Sequence, residues 1–137
     1  MAKRTDIEIL APATGKVLPL CETKDEVFSA GTMGQGFGLE PSAEGEIEVV
    51  APVSGTVMML ADTKHAIGIQ TADGLEILIH MGIDTVNLKG TPFTVHCEQG
   101  STVKAGEPIA TMNLKEIEAH KLAKTIMVIV TNSGDKL

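Results

Sequence analysis

The sequence has no Trp, no Tyr and only three Phe. Surfaces that bind single-stranded nucleic acid stack bases on exposed aromatics, so that partner class is disfavoured. A basic excess is missing as well. Lys and Arg number 11 against 18 Asp and Glu, for a net charge of −7, and no basic stripe is visible. Duplex DNA is therefore a poor fit. No apolar run is long enough to span a bilayer. The start Met1-Ala-Lys-Arg-Thr-Asp6 runs straight into Ile7-Glu8-Ile9-Leu10, without the apolar h-region of a secretory signal. Cysteine is scarce: Cys21 and Cys97 are isolated, with no C-x-x-C spacing, and read as small hydrophobes rather than a redox pair. A cytoplasmic protein with free thiols, no nucleic-acid partner and no membrane insertion is expected. Its acidity either aids solubility or steers it to basic partner surfaces.

A chain of 137 residues suits one domain, 1–137, with a core of Val, Ile, Leu, Met and Ala. Short β-rich runs separated by turn residues predict strands near 7–10, 15–20, 36–40, 46–50, 55–60, 65–70, 75–81, 93–97, 108–112 and 126–131. This spacing predicts an all-β fold, an antiparallel β-sandwich or barrel with short helical segments. The helical pattern falls in Asn113–Leu122, with Asn113 as N-cap and Glu116 at the capping-box position. An internal echo, Ala-Pro-x-[Thr/Ser]-Gly-x-Val-x-x-Leu, begins at Ala11 and again at Ala51. Two copies do not make a solenoid, so they predict two equivalent corners of one sheet structure. Gly31, Gly34, Gly36 and Gly38 do not complete a dinucleotide-binding G-x-G-x-x-G and are read as bends and close backbone approaches.

The chemistry centres on His65 and His80, which flank Thr71-Ala72-Asp73-Gly74, a stretch with the composition of a hairpin turn. A two-residue loop at Ala72-Asp73 places His65 opposite His80. A loop at Asp73-Gly74 places His80 opposite Ile67, with His65 diagonal. Both put the imidazoles on one sheet face, whereas a three-residue loop would separate them. Largely neutral at pH 7, such a pair can bind metal, act as acid and base, or carry a phosphoryl group on nitrogen. Metal binding wants a third ligand, for which Asp84, near His80 in sequence, is a candidate. Acid–base catalysis usually wants paired carboxylates or a nucleophilic Ser or Cys nearby, and the closest hydroxyl is Thr63. Phosphoryl carriage needs one attacking nitrogen, a second group on the phosphoryl oxygens, and a backbone acceptor to fix the tautomer.

The segment Gly74-Leu-Glu-Ile-Leu-Ile-His80-Met-Gly82-Ile83-Asp84-Thr85-Val86-x-Leu88-x-Gly90 closely resembles the active-site signature of the glucose-type IIA domain of the bacterial phosphoenolpyruvate:sugar phosphotransferase system. The resemblance extends through Ile7-x-Ile-x-Ala11-Pro12, Val27-Phe28, Gly34-x-Gly36, Val50-Ala51-Pro52-Val53-x-Gly55-Thr56, Thr63-x-His65-Ala66 and Gly100-x-x-Val103-Lys-x-Gly106, nearly the whole chain. It implies an antiparallel β-sandwich and a phosphotransferase component that needs no cofactor or metal. His80 would be phosphorylated on Nε2, with Nδ1 held by the Gly82 carbonyl. His65 would hydrogen-bond the phosphoryl group, and Thr63 would orient His65. HPr would be the donor, and a cysteine on the IIB domain of a sugar permease the acceptor. Val27, Phe28, Leu78 and Val86 would form an apolar docking patch, with Asp25 and Asp84 in its acidic rim. Where relatives often carry bulky aromatics, this chain has Ala61, Gly68 and Leu78, which predicts a flatter rim. His96 and His120 match no functional residue of the family and are read as surface histidines.

Two other classes compete. Turns such as Gly100–Ala110 also resemble those of lipoyl or biotinyl carriers, but no Lys stands in a Met-Lys-Met context. A zinc-binding β-sandwich hydrolase of the lysostaphin type would want a His-x-His motif, which is absent. The family can also bind regulatory proteins as a sugar-status sensor. Met1-Ala2 suits a complete, free-standing chain, the alternative being one domain of a fused permease. A monomer is expected, since partners must reach His80.

Overall fold

Strand formation follows the alternation of apolar and polar side chains. The clearest case is β6 (Glu76–Met81), where Ile77, Ile79 and Met81 are fully buried and Glu76, Leu78 and His80 are half-buried. Each buried Ile there contributes about 1.5–3 kcal/mol relative to an exposed one. The computed structural model describes residues 12–13, 15–19, 35–42, 45–61, 64–72, 74–82, 92–120 and 124–130. The remaining strands are β1 (Gly15–Pro19), β2 (Gln35–Pro41), β3 (Glu46–Val50), β4 (Gly55–Leu60), β5 (Ala66–Gln70), β7 (Phe93–Val95), β8 (Thr102–Val103), β9 (Pro108–Asn113) and β10 (Ile126–Val130). The expected strand at 7–10 lies outside the described residues.

Among the described residues two antiparallel sheets form. One has the order β1-β2-β10-β6-β5-β4-β8 and the other β3-β9-β7. They share one core, in which Leu39, Ile67, Ile69, Ile77 and Ile79 of the larger sheet pack with Val49, Phe93, Ile109 and Met112 of the smaller. The architecture is the antiparallel sandwich expected from the strand spacing. One helix, α1 (Leu114–Ala119), follows β9. The Asn113 side chain accepts a hydrogen bond from the Glu116 amide at 3.1 Å, and Leu114 and Ile117 are buried. The cap anticipated from the sequence is thus present, and the helix ends earlier than its apolar pattern suggested.

The larger sheet is mirrored about its central pair. Reading outward from β10 gives β2 then β1, and outward from β6 gives β5 then β4. The two echoed motifs open β1 and β4, the corresponding strands. At the head of each stands a glycine with no room for a side chain. A Cβ on Gly15 would strike the Glu40 carbonyl oxygen, and one on Gly55 the Gln70 carbonyl oxygen. The corners differ in cover. Val57 is fully buried on β4, which β8 flanks, while Val17 is 57% exposed on β1, the edge of the described sheet. β8 was not anticipated because two residues between turns leave no readable alternation.

The β5–β6 hairpin differs from expectation. Ala66 pairs with His80, Ile67 with Ile79, Gly68 with Leu78 and Ile69 with Ile77. The Thr71 amide donates to the Leu75 carbonyl at 2.9 Å, and the Gly74 amide donates to the Thr71 carbonyl at 3.0 Å. The loop therefore spans 72–74, three residues rather than two. Gly74, at φ 89°, closes it, because a three-residue hairpin loop needs a left-handed residue at its last position. The Thr71 side chain adds an acceptor for the Leu75 amide at 3.1 Å.

Candidate active site

His80 stands near the end of β6, flanked by Ala66 on β5 and Met127 on β10. The chain bends at Gly82, whose φ of 83° lies in the left-handed region. That conformation turns the Gly82 carbonyl back to the ring two residues earlier, and His80 Nδ1 lies 2.8 Å from the Gly82 oxygen. A carbonyl only accepts, so Nδ1 carries the proton and the lone pair of the neutral ring is on Nε2. This tautomer gives His80 a nucleophilic Nε2.

His65 reaches the same place by a different route. In the observed register it lies across from Met81, whose amide donates to the His65 carbonyl at 2.7 Å. Regular alternation from an odd-length loop would have placed the two rings on opposite faces. They nevertheless meet edge to face, with centroids 5.0 Å apart and planes at 75°. His65 precedes β5, in a bend that follows Lys64 at φ 62°. Within the same turn the Lys64 amide donates to the Ala61 carbonyl at 2.8 Å, and the Ala61 amide to the Ala66 carbonyl at 3.0 Å. Outside the ladder the side chain is not bound to the two-face rule. Burial first, and the adjacent His80 second, lower the pKa of His65. Its imidazole is thus kept neutral near pH 7.

Leu78 shares the His80 face of β6 and is half-buried opposite Gly68. Beyond Gly68, β4 carries a bulge in which Val57 pairs with Ile69 and Met59 with Gly68, leaving Met58 as the extra residue. A Cβ on Gly68 would lie 3.3 Å from Met59 Cβ and 3.6 Å from Met58 Cε. Met58 and Met59, each 37% exposed, therefore lie beside the side-chain gap left by Gly68. Sequence reasoning passed over these two methionines. Their adjacency on a strand, where one of two neighbours normally faces solvent, was the available signal. Thr63, Asp25, Val27, Phe28, Asp84 and Val86 lie outside the described residues.

His96 is exposed, with Nε2 2.7 Å from the Thr111 hydroxyl, and His120 caps the C-terminal end of α1. Both are remote in sequence and topology from the histidine pair. Burial pushes the Cys97 thiol pKa up, and Glu107 adds to the effect, while a backbone hydrogen bond opposes it. Among the described residues no group of three or more His, Cys, Asp or Glu converges to hold a metal ion, and no helix is long and apolar enough to cross a membrane.

Comparison with known proteins bears on this arrangement. Residues 7–136 match the family described as phosphoenolpyruvate-dependent sugar phosphotransferase system, EIIA 1. The PTS system beta-glucoside-specific EIIBCA component of Halalkalibacterium halodurans is 49% identical over 125 residues, covering 91% of this chain and 19% of that protein. The component of the same name from Bacillus subtilis is also 49% identical over 125 residues, covering 91% of this chain and 20% of that protein. The chain thus spans about a fifth of the length of these relatives. The solved structure of glucose permease IIA from Mycoplasma capricolum superposes with a TM-score of 0.84 at 38% identity, over 96% of this chain and 84% of that one. These matches favour the phosphotransferase reading over a zinc hydrolase or a lipoyl or biotinyl carrier. A family match over nearly the full chain, on a sandwich that brings its two signature histidines together, identifies the chain as a member of the EIIA 1 family and a component of the phosphoenolpyruvate-dependent sugar phosphotransferase system.

Proposed function

We propose that this chain is a cytoplasmic phosphocarrier that takes a phosphoryl group from phospho-HPr onto Nε2 of His80 and passes it to a cysteine of a permease IIB domain. In the first step the Nε2 lone pair attacks phosphorus, and the nitrogen–phosphorus bond of the donor histidine breaks. In the second a cysteine thiolate attacks the same phosphorus, and the bond to Nε2 breaks. Neither step moves the Nδ1 proton, which stays on its hydrogen bond to Gly82. The observation that carries this reading is the 2.8 Å contact between His80 Nδ1 and the Gly82 oxygen, which assigns the lone pair to Nε2.

His65 supplies the second group. A neutral imidazole beside the acceptor donates its N–H to phosphoryl oxygens that gain charge as the group transfers. Thr63 orients His65 in this reading. Asp25, Val27, Phe28, Leu78, Asp84 and Val86 form the surface on which the basic donor and the IIB domain dock in turn. The curated relatives are named as beta-glucoside-specific, and a β-glucoside permease is accordingly the system we assign to this chain.

The test is phosphorylation by phosphoenolpyruvate, Enzyme I and HPr, followed by intact mass. Wild type should gain one acid-labile phosphoryl group, and His80→Ala none. His65→Ala should accept the group and deliver it poorly to IIB. A wild type that gains no mass from a competent HPr would refute the assignment.

A further inference from the structure

One row of residues crosses three strands beside the histidine pair. Glu40 ends the β2 side of the row. The β2–β10 register pairs Leu39 with Ile126, so Glu40 stands across from Thr125. The β10–β6 register pairs Ile126 with Met81, so Thr125 also stands across from Gly82. Both contacts are made. The Thr125 hydroxyl donates to Glu40 Oε2 at 2.7 Å, and the Gly82 amide donates to the Thr125 carbonyl at 2.9 Å. Thr125 is 4% exposed and is the one buried polar side chain among the described residues.

We infer that Thr125, held by Glu40, is a positioning residue that sets the His80 tautomer through the Gly82 backbone. Gly82 has no side chain to anchor it and occupies a left-handed conformation. Its orientation depends on the groups its backbone meets. The carbonyl meets His80, the group to be oriented, so it cannot be its own reference. The amide meets Thr125, which supplies that reference from a neighbouring strand. Thr125 is in turn fixed at two points: its backbone leads into β10, whose Met127 flanks His80, and its hydroxyl is tied to a carboxylate on β2. A valine in its place would keep the shape but remove the donor to the half-exposed Glu40 carboxylate and release the row. Partners that orient a working histidine from outside its first contacts commonly change its rate without touching the substrate.

The consequence for phosphoryl transfer rests on the phosphocarrier reading, but the geometry does not. The test therefore has two independent readouts on the full chain, applied to wild type, Thr125→Val, Thr125→Ser and Glu40→Leu. The first is long-range proton–nitrogen correlation of the His80 ring, together with hydrogen exchange of the Gly82 amide. The second is kcat and KM for phospho-HPr. In Thr125→Val the Nδ1–H tautomer should lose population and Gly82 exchange should quicken about tenfold. The kcat should fall about tenfold with KM unchanged, since the docking surface is untouched. Thr125→Ser, which keeps the hydroxyl, should restore both, and Glu40→Leu should act in the same direction as Thr125→Val. If Thr125→Val does not fold, Glu40→Leu carries the same measurements from a half-exposed site. A folded variant of either kind with wild-type ring spectra and Gly82 exchange overturns the inference. A wild type with the Nδ1–H tautomer that takes up no phosphoryl group would instead sink the phosphocarrier reading and leave the ring spectra to decide this one.

Discussion

The imidazoles of His65 and His80 lie edge to face at 5.0 Å, although the strand register pairs His80 with Ala66. The pair is built by a turn at the mouth of the hairpin and not by the ladder. In the proposed reading His65 therefore stands beside a group carried on His80. Replacing His65 by Gln, which retains a donor but not the ring, should slow delivery to IIB by about 100-fold while leaving acceptance on His80 measurable. Single-turnover kinetics with purified phosphoprotein would show it.

Stability should depend on pH through the same residue. The pKa of His65 is lowered in the fold from about 6.5 in the unfolded chain. Between the two values the unfolded state binds more protons, so the native state loses stability as pH falls below about 6.5, and the loss levels off below the folded pKa. Urea unfolding at a series of pH values should show this decline. His65→Gln should flatten its upper part.

The mirrored glycines should not be equivalent in cost. A Cβ at Gly55 meets the Gln70 carbonyl and comes within 2.9 Å of Ile69 Cγ2, on a strand hemmed in by β5 and β8. Gly55→Ala should lower the unfolding free energy by about 2–3 kcal/mol. Gly15→Ala should cost roughly 1 kcal/mol less, because an edge strand can shift outward. Denaturant midpoints at constant slope would measure both.

The hairpin loop offers a fourth test. At φ 89°, Gly74 occupies a region that an L side chain enters at a cost of about 1–2 kcal/mol. Gly74→Ala should destabilise the protein by that amount. Gly74→Asn should recover part of it, since Asn tolerates the left-handed region.

Much of the sheet was legible because one side of each strand is dry. The alternation in Glu76–Met81 and the unbroken apolar run Ile126–Val130 mark a half-covered strand and one buried on both faces. The nearness of the two histidines was also legible, but the reason given for it was not the one the fold uses. A tetrapeptide such as Thr71–Gly74 is compatible with loops of two or three residues, and the pairing of Gln70 with Glu76 decides between them. The bend at Lys64 then restores the meeting that the odd loop alone would prevent. The tie from Thr125 to Glu40 could not be read at all, because the partners are 85 residues apart and neither carries a motif.

The cap on α1 bears on which parts of the molecule the site depends on. Asn113→Ala removes the acceptor for the Glu116 amide and should cost about 1 kcal/mol. The helix packs on β3, in the sheet that does not carry the histidines. Phosphoryl acceptance should therefore be unchanged, measured below the onset of unfolding.

Of the central pair of strands in the larger sheet, β10 is also the last of the described strands to be synthesised. Until residues 125–130 have left the ribosome, β2 and β6 have a vacant slot between them, and His80 lacks Met127 at its side and the Thr125 carbonyl behind Gly82. The final segment fills that slot and acts as a zip fastener for both halves. A chain still missing this segment thus lacks two of the neighbours that frame the proposed phosphoryl acceptor.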